Sequence, residues 1–224
     1  MFDAADIPSP WQVTGDALEF CNLAAELSMK NMTVQERAQF MKAKVAELES
    51  FFENGVWTED FAGQPDPKRT LKGRFLLKWS KNPDGTPRAK ARFVIQGFKD
   101  PDALAGSLET SSPTALRMSR IFLLVLTING WFLFTADVST AFLQGKPSDR
   151  QLWVALTTEA CQILGYPADT KMKLLKSMYG LADAPRLWWR EATDRLFACG
   201  FRAHPLDPCL FLSYAETKTG RTLD

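Results

Sequence analysis

One histidine, His204, stands in the 224 residues. That scarcity excludes any centre built on several imidazoles. A Ser-His-Asp mechanism would rest wholly on a residue set just before Pro205, with no nucleophile motif beside it; His204 reads as a loop residue. Cysteine is thin too: Cys21, Cys161, Cys199 and Cys209 lie far apart with no C-x-x-C pair. Such spacing argues against a structural zinc site or a disulfide framework and for reduced thiols. Neither G-x-G-x-x-G nor G-x-x-x-x-G-K-[ST] occurs, so the usual phosphate loops are missing. The longest apolar run, IFLLVLTINGWFLF (121–134), is broken by Asn129 and Gly130 and falls short of the about 20 residues that span a bilayer. The start, MFDAADIPSP, lacks the basic and apolar blocks of a secretion signal. The expected location is intracellular, cytoplasmic or nuclear, not secreted and not in a membrane.

What is present suits a packed domain. Hydrophobic residues make up 46% and charged residues 24%, which is enough apolar surface for a sizeable core. The net charge of +1 hides an uneven distribution. Residues 1–67 carry twelve acids and four bases, residues 68–99 carry ten bases and only Asp84 as an acid, and the remainder balances at thirteen each. A basic stretch of this kind attracts phosphates whatever the total charge.

Residues 1–32 show no sustained period and are expected to be a linker or lead-in. Thr33 and Glu36 then form a T-x-x-E capping box. Val34, Ala38, Met41, Val45, Leu48 and Phe52 follow as one apolar stripe of a helix that Asn54-Gly55 ends. Residues 71–98 read as a β-hairpin around Pro83-Asp84-Gly85. On its second strand Ala89, Ala91, Phe93 and Ile95 share one face, and Arg88, Lys90 and Arg92 the other. Ser111-Ser112-Pro113-Thr114 is expected to open a helix running to about Asn129. WFLFTADV (131–138) reads as a buried strand, and LWVAL (152–156) and CLFLSY (209–214) as further strands. Residues 183–200 read as a helix with Asp183 as its cap, Pro185 in its first turn and Gly200 at its end. This irregular alternation predicts an α+β fold with a mostly antiparallel sheet and packed helices.

Three segments now stand in order: KARFVIQGF (90–98), ADVSTAFLQG (136–145) and LLKSMYGLADAPRLWW (174–189), the last continued by GFRAHPLDPCLFL (200–212). Together they resemble the reverse transcriptase of Ty1/copia-type retrotransposons, which typically reads KARLVARGF, DVKTAFLNG, KSLYGLKQAPRAWY and GF…D.SLF. The resemblance runs from about residue 34 to the end. It implies a right-hand polymerase fold: a partial reverse transcriptase domain over 33–224, with a fingers hairpin at about 71–98 and palm at about 111–224. In the intact family enzyme a primer 3′-hydroxyl attacks the α-phosphate of a deoxynucleoside triphosphate and releases pyrophosphate. Two metal ions serve that step, Mg²⁺ or Mn²⁺.

By the same resemblance Asp137 is a catalytic, metal-binding aspartate, and Val138 lines the triphosphate path. Phe142 is the aromatic that lies under the incoming sugar and excludes a 2′-hydroxyl; plain core is its other reading. Lys90 and Arg92 grip triphosphate oxygens, or else form a solvated basic face. Tyr179 and Gly180 lie beside the template base and incoming nucleotide, where Gly180 permits close backbone approach. Lys72, Arg74 and Lys78 are candidate contacts to template phosphates. The implied partners are an RNA or DNA template–primer, a deoxynucleoside triphosphate and the other segments of a polyprotein: the rest of the palm, the thumb, RNase H and integrase.

Two departures stand out. Where the family usually has Lys-Gln, this chain has Ala182-Asp183. The family's x-Asp-Asp turn has no counterpart, since no Asp-Asp pair occurs in the sequence. A single catalytic aspartate cannot hold two divalent ions against their repulsion, so the chain is expected to be inactive alone. The alternatives are a non-catalytic nucleic-acid-binding module or a degenerate retroelement remnant.

Overall fold

The computed structural model describes residues 27–59, 64–82, 84–115, 117–132, 134, 136–217 and 220–223. They fall into two compact units. The first comprises 27–47 and 75–93, and the second 48–74 and 94–223.

The first unit begins with the capping box. The Thr33 amide donates to Glu36 Oε2 at 2.8 Å and the Glu36 amide to Thr33 Oγ1 at 3.2 Å, satisfying two otherwise orphan donors. Helix α1 (Val34–Glu53) follows. Of the predicted stripe only Leu48 is buried, and the buried side is otherwise the neighbouring row. Phe40, Lys44, Leu48 and Phe51 are buried, whereas Val34 is 85% exposed and Met41 and Phe52 are also exposed. The inward row alternates apolar and charged residues, with Lys44 and Glu47 among the phenylalanines, so a hydrophobicity count selects the neighbouring row. The core of this unit is Phe40, Leu77 and Ala91, joined by Phe75, Trp79 and Ala89 from the hairpin. Leu27, Met29 and Met32 also pack here, so the end of the expected lead-in is part of the domain; its residues 1–26 lie outside the described ones.

The hairpin forms as the sequence predicts, from β2 (Thr70–Lys81) and β3 (Pro87–Ile95). Its turn closes with the Gly85 amide on the Asn82 carbonyl and the Asn82 amide on the Thr86 carbonyl, both at 2.9 Å. Gly85 takes the left-handed φ of +84° that this turn requires. Strands joined so tightly must be antiparallel.

In the second unit β1 (Trp57–Thr58), β4 (Trp153–Ala155) and β5 (Lys171–Leu174) complete a five-stranded sheet of order β1-β5-β4-β2-β3. The β1–β5 and β5–β4 pairs are antiparallel and β4–β2 is parallel, so the fold is mixed α and β with a mostly antiparallel sheet. The helices are a single turn α2 (Pro101–Leu104), then α3 (Arg117–Ile128), α4 (Thr158–Leu164) and α5 (Ala184–Ala198). Strands β6 (Arg202–His204) and β7 (Asp207–Leu212) form a separate antiparallel pair, as do β8 (Tyr214–Thr217) and β9 (Gly220–Leu223). His204 ends β6, and its Nδ1 accepts the Leu206 amide at 3.2 Å, so its role is to shape the turn.

Two expectations fail here. Helix α3 starts at Arg117 rather than at Ser111. Its first turn is served from far along the chain: Asp207 Oδ2 accepts from the Ser119 amide at 3.0 Å and from Ser119 Oγ at 2.6 Å. The segment expected to be a buried strand is not one, since the described residues of 131–138 are all exposed and none is in a strand. Phe132 and Phe134 are nearly 90% exposed. Aromatic and β-branched content favours a strand only where a neighbour supplies the ladder, and none of the described strands pairs with this segment.

Candidate functional site

In the second unit Asp137 and Val138 lie exposed in the irregular segment after α3. Thr140 adopts a left-handed φ of +51°, and a 3-10 turn, Ala141–Gln144, follows. Leu143 anchors that turn in the core. Phe142 is only half-buried, and its ring lies 5.8 Å from that of Tyr179. Two of the predicted nucleotide residues, from separate motifs, are thus adjacent. The Lys146 amide reaches the Leu187 carbonyl at 3.5 Å, and Lys146 pairs with Asp194, so the turn also leans on α5.

Tyr179 is held by a backbone crossing. The Ile95 amide donates to the Tyr179 carbonyl at 3.0 Å. A Cβ added to Gly97 would lie 1.9 Å from the Gly180 carbonyl oxygen, and one added to Gly180 would lie 2.2 Å from the Ile95 carbonyl oxygen. Gly180 also has a φ of +101°. Both glycines are therefore required by close approach. Gly180 was marked by motif; Gly97, in the Gly-Phe of KARFVIQGF, was not.

Asp183 does not cap α5, for its side chain makes no capping hydrogen bond. Instead Asp183 Oδ2 accepts from Arg150 at 2.8 Å. Arg150 also donates to Asp102 at 3.0 Å and pairs closely with Asp100, while Arg69 grips Asp102 bidentately at 2.9 and 2.7 Å. Burial alone would lower the Arg150 pKa, but the paired carboxylates outweigh it and raise it. Sequence reasoning missed this network: Asp100 before Pro101 carries a helix-start signal, but nothing in the sequence around Arg150 foretells three carboxylate partners. Trp189 lies under the Arg186 guanidinium at 4.9 Å.

The predicted phosphate-binding cations split between the units. Lys72 and Arg74 are exposed on β2 in the second. In the first, Lys78, Arg88, Lys90 and Arg92 are near enough for Arg92, Lys78 and Arg88 to disfavour the charge on Lys90, after burial itself. Glu47 is the opposing charge. It accepts the Phe93 amide at 2.9 Å. Burial pushes its carboxyl up, against the pull of that amide, Arg92 and Lys90. A folded-state pKa above the ordinary 4.5 means that the group's contribution to stability is complete below that value and is lost as pH rises through the folded one. Glu47→Gln, which retains an acceptor for the Phe93 amide, is therefore expected to gain stability relative to the native chain as pH rises from about 4 toward neutrality. Urea melts at a series of pH values check this; a parallel offset at every pH is the contrary result.

Among the described residues no three His, Cys, Asp or Glu stand together as a metal site, and no helix is long and apolar enough to cross a membrane.

The sequence pattern of the reverse transcriptase (RNA-dependent DNA polymerase) family matches residues 54–220, so the chain belongs to that family. Its relatives include the retrovirus-related Pol polyprotein from transposon RE2 of Arabidopsis thaliana, 32% identical over 176 residues. That from transposon RE1 of the same plant is equally similar, and that from transposon TNT 1-94 of Nicotiana tabacum is 29% identical over 177 residues. These matches cover 78–79% of this chain but only 12–13% of the relatives. They make it a Ty1/copia-type member. No solved structure matches.

Proposed function

We propose that this chain is the fingers and part of the palm of a right-hand, RNA-directed DNA polymerase, and that by itself it binds template–primer and nucleotide without joining them. The observation that carries the reading is the pairing of Phe142 with Tyr179 at 5.8 Å. Two half-buried rings, tilted 54° to one another beside a tight glycine crossing, each offer a face to a sugar or base. The crowded cations Lys78, Arg88, Lys90 and Arg92 suit phosphate oxygens, with the arginines able to clamp them bidentately. The residues present do not fit a two-ion metal centre: Asp137 offers one exposed carboxylate with no further acids gathered beside it among the described residues. The remaining carboxylates would have to come from outside this sequence, as would the polyprotein segments the relatives' names imply.

The purified chain, given Mg²⁺, deoxynucleoside triphosphates and a primed template, is expected to bind the template–primer with steep salt dependence and to extend nothing. Primer extension that Asp137→Asn abolishes would overturn the inactive half of this proposal. Salt-insensitive binding, or none, would overturn the binding half. Salt-dependent binding that ignores added nucleotide would favour a nucleic-acid-binding module, which the cation cluster alone could serve.

A further inference from the structure

Arg150 lies in the irregular segment before β4, and its side-chain partners Asp100, Asp102 and Asp183 are not among the residues assigned to nucleotide. Its guanidinium nevertheless joins the two sides of the glycine crossing. Asp100 follows Gly97 by three residues and Asp183 follows Gly180 by three, and Arg150 binds both. On one side Asp100 is fully buried; its amide donates to the Gly97 carbonyl at 3.0 Å, and its carboxylate accepts the Asp102 amide at 3.0 Å. On the other side Asp183 is buried, and its second oxygen, Oδ1, has no hydrogen-bond partner. Arg150 is thus the cation that keeps the Asp183 carboxylate inside the protein. Without it, Asp183 would be a buried unpaired carboxylate, which must take up a proton or turn to water, and in either case it is released from the place Arg150 gives it and shifts.

That movement cannot stay local. The Ala184 amide bonds the Leu181 carbonyl at 3.4 Å and the Leu181 amide the Met178 carbonyl at 3.2 Å, so the turn from Met178 to Ala184 is one tight piece of backbone. Gly180 sits within it, wedged against Ile95 and Gly97 with no space for a methyl group. A shift at Asp183 therefore acts on the crossing and on the Tyr179 ring that it presents to Phe142.

We propose that Arg150, through Asp183 and Asp100, is a positioning residue that sets the Tyr179–Gly180 turn. The Asp183 that replaces the family's usual glutamine is then a paired charge held for geometry rather than a lost nucleotide contact. The inference rests on the reading of Phe142 and Tyr179 as the nucleotide face.

The chain has three tyrosines, Tyr166, Tyr179 and Tyr214, so full-length protein labelled with 3-fluorotyrosine gives three ¹⁹F signals, assigned by single Tyr→Phe changes. Arg150→Gln is expected to shift or broaden the Tyr179 signal and leave the other two in place. Titration with deoxythymidine triphosphate, followed at the Tyr179 signal, is expected to show Kd raised roughly tenfold or more, the scale of loss when a contact group is misplaced. Arg150→Lys, a point charge without the planar fork, is expected to fall between. If Arg150→Gln loses the dispersed spectrum of a folded chain, Asp183→Asn decides. It leaves Arg150 with Asp100 and Asp102, and is expected to move Tyr179 in the same direction by less. A Tyr179 signal unmoved in the folded variants, or three signals moving together with a fall in stability, would overturn the positioning role. A native chain whose Tyr179 signal ignores the triphosphate would overturn the nucleotide reading instead, leaving the clamp to be judged from the ligand-free spectra.

Discussion

Gly97→Ala is expected to cost about 3 kcal/mol or more of stability, beyond the usual range for one extra methyl group in a core. The added Cβ would lie 1.9 Å from the Gly180 carbonyl oxygen, 2.8 Å from its carbon and 3.2 Å from Leu181 Cα. All three atoms are backbone, so no side chain can swing aside. Gly97 has no left-handed φ, so the cost is steric rather than conformational. Gly200 supplies the contrast: its φ is +89° and nothing lies within 4 Å of its Cβ position, so Gly200→Ala is expected to cost only the about 1–2 kcal/mol of a left-handed non-glycine residue. Urea melts of the two variants make the comparison. A Gly97→Ala loss no larger than that of Gly200→Ala would mean that the crossing is looser than the structure shows.

Asp207→Ala is expected to rank second, at about 3 kcal/mol, since hydrogen bonds to a charged acceptor contribute about 1.5–3 kcal/mol each and do not add fully. Asp207 is fully buried. It takes the Ser119 amide and hydroxyl on one oxygen and the Cys209 amide, at 3.0 Å, on the other. It therefore fastens the start of α3 to the first residue of β7. Ser119→Ala removes only the hydroxyl bond and is expected to cost about 1 kcal/mol. Hydrogen exchange should show the first turn of α3 losing protection in Asp207→Ala well before the hairpin does; equal loss everywhere would show that the aspartate supports the fold at large.

The sequence by itself determined what depends on neighbours along the chain. The Thr33–Glu36 box, the turn at Asn82–Gly85 and the alternation of Arg88 to Phe93 rest on geometry spanning a few residues, and each formed as read. The order of the motifs was enough to identify the family, because it is a property of the sequence. Tertiary structure decided the rest. Which row of α1 turns inward depends on what Lys44 and Glu47 meet there, and a hydrophobicity pattern cannot show a charge that finds its partners inside. Residues 131–138 have the composition of a strand, but none of the described strands pairs with the described residues among them, and a ladder needs two strands. Asp183 has the position of a helix cap, yet its carboxylate goes to Arg150, 33 residues away, because a full guanidinium charge at hydrogen-bonding distance outweighs a local amide dipole. Asp207 serves Ser119 across 88 residues, and the Gly97–Gly180 crossing joins segments just as remote. Such pairings are fixed by how the chain is threaded, and only the folded protein brings their atoms together.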